Sequence, residues 1–237
     1  MIRKLNFPEL VGIILGDGHI YHYPTHFIYG LEISGNALED KEFFERIADY
    51  IERLIRKRPK IHVKSHKLGK SLQLLVYGKK FAYMLIGKGI PFKNKSFTAI
   101  IPHKYLPWRH SKHVLRGLFE TDGSLYFSKL NGKHSYPRLE IKSSSNQLIK
   151  QIFSILSKQG YNPHIVTKKS DKTSAVYLSG SHQIDKWAKE IGFGSKKNLS
   201  KYLLWKKLGY YLPKSNLEER LKRLRSSSSK ARGYPSG

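Results

Sequence analysis

Apolar residues recur along the chain in two rhythms, and the order of those rhythms is played twice. The first cycle opens with Leu10-Val11-Gly12-Ile13-Ile14-Leu15-Gly16-Asp17-Gly18, an apolar helical stretch stopped by Asp-Gly. Period-two segments follow at His19–Tyr23 and His26–Ser34. Pro24-Thr25 breaks them, which predicts a strand pair. The helical period returns over Leu38–Ile55, with Phe43, Phe44, Ile47, Ile51 and Leu54 at helical spacing and acids early. A second strand pair is predicted at Ile61–Lys67 and Ser71–Tyr77, turning near Leu68-Gly69-Lys70. A short helix at Phe81–Ile86, ended by Gly87 and Gly89, closes the cycle.

The second cycle keeps this order. It opens with Leu115-Arg116-Gly117-Leu118-Phe119-Glu120-Thr121-Asp122-Gly123, so the two aspartates lie 105 residues apart. Strands at Ser124–Lys129 and His134–Ser143 flank Asn131-Gly132, a strong two-residue hairpin signal. A helix at Gln147–Leu156, a hairpin at His164–Lys169 and Thr173–Ser179 around Ser170-Asp171-Lys172, and a helix at Ile184–Ile191 complete it. Leu31-Glu32-Ile33 answers Leu139-Glu140-Ile141, and Gly78 answers Gly180. The pattern predicts an α+β protein of two pseudo-twofold-related αββαββα halves. Residues 1–100 form one half, 101–112 a linker, 113–210 the second half and 211–237 a basic, partly disordered extension. Within that extension Asn216–Arg225 reads as a charged helix. A protein with internal twofold symmetry suits a partner with the same symmetry, and duplex DNA is the obvious one.

Composition narrows the partner further. Forty-four Lys and Arg against 17 Asp and Glu give the 237-residue chain a formal net charge of +27. That imbalance calls for a polyanion, nucleic acid before membrane, because no basic amphipathic helix dominates the chain. The absence of cysteine excludes disulfides, a cysteine zinc site and thiol catalysis. No apolar run approaches a membrane span and nothing reads as a leader peptide. The expected location is therefore cytoplasmic, nucleoid-associated or organellar, and not secreted.

The repeated helix ends carry the candidate chemistry. Gly12 and Gly16 leave a smooth strip on the first helix, as Gly117 and Thr121 do on the second. Two such strips can pack backbone to backbone, which would bring Asp17 and Asp122 out side by side. Carboxylates at two helix C-termini repel each other and the helix dipoles. A divalent cation, Mg²⁺ or Mn²⁺, would relieve both effects and could serve phosphodiester hydrolysis.

On these residues the chain resembles the LAGLIDADG homing endonucleases in their single-chain, two-motif form. The resemblance covers both nine-residue motifs and the element order to about Leu208. It implies that the motif helices join the halves through Gly12, Gly16, Gly117 and Thr121, and that each half carries a four-stranded antiparallel DNA-binding saddle. Asp17 and Asp122 would be catalytic metal ligands, with Gly16 and Thr121 adjoining them in the metal set. A basic residue late in each half would assist, Lys95 in the first and Lys197 or its neighbour Lys196 in the second. Leu15 replaces an acid of the motif and reads as packing; Glu120 keeps the acid, as an exposed or capping carboxylate. A polar position that supports water falls at Gly35 and Ser143, so one site is less fully equipped. The implied activity is a double-strand break with four-base 3′ overhangs, made by a monomer. A start at Met1 and the lack of a terminal His-Asn favour an intron origin over an intein.

Period-two alternation then selects the DNA-facing strand residues: Tyr21, Tyr23, Glu32, Lys64 and His66 in the first half, and Tyr126, Ser128, Arg138, Glu140 and Lys168 in the second. Arg138 suits guanine, and Glu32 or Glu140 suits cytosine N4. Two alternatives stand beside the endonuclease: a maturase that binds intron RNA, and a DNA-binding regulator that does not cut.

Overall fold

The first helix is delimited by local chemistry. Asn6 caps it, accepting the Glu9 N–H at 3.0 Å, Pro8 sits in its first turn, and α1 (Phe7–Asp17) stops at Gly18. Its counterpart α5 (Trp108–Asp122) begins after Pro107 and stops at Gly123. The computed structural model describes residues 2–66, 69–168 and 173–226, without the side chains of His66 and Lys168.

Each half then builds one sheet. β1 (Gly18–Tyr23), β2 (Ile28–Asn36), β3 (Lys60–His66) and β4 (Gly69–Tyr77) form the first, in the order β1-β2-β4-β3. β5 (Gly123–Leu130), β6 (Lys133–Ser143), β7 (His164–Lys168) and β8 (Thr173–Ser179) form the second, in the matching order β5-β6-β8-β7. All pairings are antiparallel. Asn131 and Gly132 both take positive φ, 49° and 77°, between paired Leu130 and Lys133, so the hairpin signal is realised as written. Of the turn expected near Leu68-Gly69-Lys70, Gly69 and Lys70 belong to β4 and residue 68 lies outside the described residues, as does the whole turn expected at Ser170-Asp171-Lys172.

The helices α2 (Lys41–Ile55) and α3 (Lys79–Gly87) pack on the first sheet through Phe43, Phe44, Ile47, Ile51, Phe81 and Leu85. The helices α6 (Asn146–Lys158) and α7 (Ser181–Glu190) do the same for the second. One continuous apolar core runs through both halves. None of the described helices is long and apolar enough to cross a membrane.

Two helices were not in the expected αββαββα plan: α4 (Lys95–Thr98), late in the first half, and α8 (Lys196–Leu208), late in the second. The apolar residues of α8 at 199, 202–205 and 208 are spread around its circumference, so no one-sided stripe announced it. Residues 108–112 of the expected linker belong to α5. In the C-terminal extension, α9 (Leu217–Arg225) starts on an Asn216–Glu219 capping box, so residues 217–225 are ordered and packed. The buried Arg220 of α9 donates to Ser200 and to Glu39 of the first half, both at 2.9 Å. Residues 227–237 lie outside the description.

The halves meet where α1 crosses α5. A Cβ on Gly12 would fall on the Val114 carbonyl and within 2.9 Å of the Leu118 nitrogen. A Cβ on Gly117 would fall on the Glu9 carbonyl and 2.8 Å from the Ile13 nitrogen. Neither obstacle is a flexible side-chain tip, so the expected close approach holds and only glycine fits. Beside this contact Glu9 of α1 and Arg116 of α5 form a fully buried ion pair at 2.6 Å, and Arg116 also donates to the Ile191 carbonyl at 2.8 Å. Burial pushes the Glu9 carboxyl up, and the Arg116 guanidinium opposes it.

Removing one member of that pair strands the other charge. Glu9→Ala is expected to cost about 3–5 kcal/mol of unfolding free energy, whereas Glu9→Met with Arg116→Met is expected to cost much less. Gly117→Ala should destabilise the chain although it raises helix propensity. Urea unfolding of the variants checks all three outcomes.

Candidate metal centre and nucleic-acid interface

The two motif aspartates end the paired helices, so the crossing that joins the halves also sets their separation. Gly16 shows how tight the arrangement is: a Cβ there would lie 2.8 Å from Thr121 Cβ and 2.9 Å from a carboxylate oxygen of Asp122. Gly12, Gly16, Gly117 and Thr121 all lie at this crossing. Asp17 opens to solvent, and Asp122 is half-buried.

Their electrostatics differ. Burial pushes the Asp122 carboxyl up to about 7; the negative charge of Asp17 adds to this and the Lys95 ammonium opposes it. Although Asp17 is exposed as a whole residue, desolvation of its carboxyl group raises its pKa too; Lys95 and Lys197 pull it down, and the carboxylate of Asp40 pushes it up. Lys95 donates to the carbonyls of Ile14 at 3.0 Å, Leu15 at 2.9 Å and Gly16, the last turn of α1. An ammonium there offsets the negative end of the helix dipole beside Asp17. Burial in turn lowers the pKa of Lys95, against the pull of Asp122 and Asp17.

Lys197 does not repeat this role at the end of α5. It pairs with Asp40 at 2.7 Å, while Lys196 pairs with the exposed Glu42 at 2.6 Å. Of the two sequence alternatives, Lys197 is thus the one turned towards the aspartates. Asp40, largely buried, was not among the expected residues; the helix expected over Leu38–Ile55 begins only at Lys41, which leaves Asp40 just before its first turn. It accepts the Asn36 N–H at 2.9 Å. Gly35 and Ser143 have different surroundings. A side chain at Gly35 would meet the Phe44 ring at 2.6 Å and come within 3.4 Å of Asp40, whereas Ser143 accepts the Ser145 N–H at 3.1 Å. A hollow of about 210 Å³ lies at the Asp122 side, bounded by Gly16, Lys95, Ser96, Asp122, Lys142 and Ser143.

Leu15 is buried as packing, in line with its apolar character. Glu120 is buried too, which removes the exposed alternative and leaves the capping one. It accepts the Gly194 N–H at 2.7 Å, the Ser195 hydroxyl and the Asn198 amide at 2.9 Å, all at the start of α8. Burial raises its pKa against those three donors.

The donor set suits a hard, hydrated cation. Asp17, Asp122 and the last-turn carbonyls of Gly16 and Thr121 are all oxygen donors, though the Gly16 carbonyl is shared with Lys95. Among the described residues no group of three or more His, Cys, Asp or Glu side chains gathers. A cation between these aspartates would therefore keep waters and open positions for phosphate oxygens.

Strand alternation puts the expected nucleic-acid residues on one face of each sheet. Tyr21, Glu32 and Lys64 share the first, together with the strand position of His66, whose side chain lies outside the described residues. Tyr23 extends that face, and Ser128, Tyr126, Arg138 and Glu140 share the second. The side chain of Lys168 likewise lies outside the description. Both glutamates already hold partners: Glu32 accepts from Tyr21 and from Gln73. Glu140 pairs with Lys142 at 3.0 Å and with the Tyr177 hydroxyl, and burial with that bond pushes the phenol up to about 12. Arg138 lies 5.5 Å over the Tyr136 ring, with its Nε buried and unpartnered among the described residues. Gln73 and Tyr177 were missed; the same alternation, applied to β4 and β8, would have found them.

Comparisons with known proteins agree with this architecture. Residues 111–192 match the family described as LAGLIDADG-like domain, and residues 9–79 match the WhiA LAGLIDADG-like domain. The homing endonuclease I-WcaI bound to its DNA recognition sequence is 17% identical, with a TM-score of 0.60 over 84% of this chain and 87% of that one. I-DmoI in complex with DNA and Mn is 15% identical, with a TM-score of 0.54 over 78% of this chain and 94% of that one. The N-terminal LAGLIDADG domain of WhiA is 18% identical, with a TM-score of 0.50 over 78% of this chain and 79% of that one. At such identities the likeness establishes the fold. No match was found among curated proteins.

The raised Asp122 pKa has a signed consequence for the metal-free protein. The native state keeps a proton on Asp122 up to about pH 7 that the unfolded chain gives up from its ordinary value of 3.8. Stability from this group therefore falls as pH rises between those values. Asp122→Asn is expected to raise the thermal midpoint in EDTA more at about pH 8 than at about pH 5. Calorimetry at the two pH values checks it; an equal shift at both would count against the assignment.

Proposed function

The chain belongs to the LAGLIDADG family in its single-chain, two-motif form, and from that premise we propose that it is a site-specific double-strand DNA endonuclease. In this reading it acts as an intron-encoded monomer, uses Mg²⁺ or Mn²⁺, and leaves four-base 3′ overhangs. The observation that carries it is the retention of Asp17 and Asp122 together at the ends of the paired helices in a chain of net charge +27. A pure DNA binder gains nothing from two clustered carboxylates facing phosphates. The solved structures of I-WcaI and I-DmoI with DNA, the latter with Mn, support the partner and the ion class.

A bound divalent cation would supply Lewis-acid stabilisation of the phosphoryl charge and a more acidic water. The chain's own residues do the rest. Asp17 and Asp122 provide the oxygen donors, and the glycine-tight crossing fixes their separation. Lys95 and Lys197 bring positive charge within reach of the phosphodiester, and Lys95 also neutralises the α1 terminus. The sheets hold the duplex across the helix pair, with Lys64 and Arg138 among the residues available to phosphate and base.

The match of residues 9–79 to a WhiA domain favours one second reading, a sequence-reading DNA binder that does not cut. Cleavage decides between them. With a selected target and Mg²⁺, Asp17→Asn and Asp122→Asn are each expected to abolish the double-strand break while leaving binding in Ca²⁺ largely intact. Binding should weaken steeply with salt, by about 10³–10⁵ between roughly 50 and 200 mM if six to ten phosphates are contacted. Specific binding by the unaltered protein with no cut in Mg²⁺ or Mn²⁺ would establish the second reading instead.

A further inference from the structure

Equivalent rows of the two sheets carry different chemistry on the face assigned to DNA. In the second sheet Tyr126, Arg138 and Ser179 are cross-strand neighbours. In the first sheet the same row is Tyr21, Gly30 and Tyr77. Where Arg138 carries a guanidinium the first sheet has no side chain, and none fits, because a Cβ on Gly30 would fall on the Val76 carbonyl. The row becomes a trough between two tyrosine rings. A hollow of about 620 Å³ adjoins the row at Tyr21 and Tyr77, open to solvent and lined further by Phe27, Ile28, Tyr29 and Lys79.

The walls are held in place. The Tyr21 hydroxyl donates to Glu32, which fixes one ring. Phe27 sits at φ 52°, a left-handed conformation that a bulky residue seldom adopts, and is 86% exposed. Tyr77 and Ile28 are 50% and 45% exposed. Among the described residues no carboxylate lines the hollow. An apolar surface on the polyanion-facing side of a strongly basic chain needs an apolar group presented by a polyanion. In the major groove that group is the C5-methyl of thymine.

We propose that this trough is a thymine-methyl subsite, so that the two halves read DNA by different chemistries: apolar contact in the first and Arg138 on guanine in the second. The inference rests on the DNA-reading role proposed above. Tyr21 lies four residues beyond Asp17 on the strand that leaves it, so the subsite falls outward from the aspartates by about 14 Å of extended chain.

The test needs binding alone. The full chain in Ca²⁺ selects targets from a randomised duplex, and thymidines in the first half-site are then replaced one at a time by deoxyuridine. At the subsite, loss of the methyl is expected to weaken binding about fourfold, the value for burying one such group. A cytidine there is expected to gain affinity when methylated at C5. Tyr77→Ser and Phe27→Asn, both at exposed positions, should erase the thymidine-to-deoxyuridine difference while keeping the thermal midpoint. Equal binding of deoxyuridine and thymidine throughout that half-site, or a difference that survives both variants, would overturn the subsite. Selection that yields no preferred duplex would overturn the DNA-reading role itself, before any base is modified.

Discussion

Backbone contact between α1 and α5 is the constraint from which the rest of the molecule follows. Gly12 and Gly117 let the helices approach until each one's carbonyls block any side chain on the other. Because the halves share one apolar core through this contact, the distance between the helix ends is fixed by backbone rather than by flexible side chains. The buried Glu9–Arg116 pair sits beside the crossing and penalises any shift that would separate the two charges. A site that must hold two carboxylates close together needs this kind of rigid support.

Charge at the centre is balanced unevenly. One helix end is neutralised by Lys95, held on three carbonyls of its last turn. The other lysine, Lys197, is drawn to Asp40, a residue that stands where the second half has the helix cap Ser145. Gly35 and Ser143 differ in the same sense, with the space near Gly35 taken by the Phe44 ring. Two halves with one backbone plan thus present their aspartates in different settings, Asp17 open and flanked by two lysines, Asp122 half-buried with its pKa raised further.

The sheet faces show a related economy. Carboxylates on a surface proposed to meet a polyanion are unfavourable unless they are occupied. Glu32 and Glu140 are both engaged, the first by Tyr21 and Gln73 and the second by Tyr177 and Lys142. Their placement at matched positions fits a bracing role for the aromatic rings and polar groups that would meet the bases.

Periodicity in the sequence determined the two halves, the eight described strands apart from their ends, the duplicated motif helices and the alternation of faces along the strands, because those depend on patterns repeated every two or every 3.6 residues. It also determined that Gly12, Gly16 and Gly117 line one seam, since helical spacing is local. The sequence did not reveal α8, whose apolar residues lack a single face, nor the burial of Glu120 beneath its start. It could not show that Lys95 would cap α1 across 81 residues, or that Arg220 would reach back to Glu39 across 181. Nor could it show that Asp40 would hold Lys197. Those contacts join segments distant in the chain, and only the tertiary structure, which fixes where each long side chain can find an opposite charge or an unpaired carbonyl, decided them.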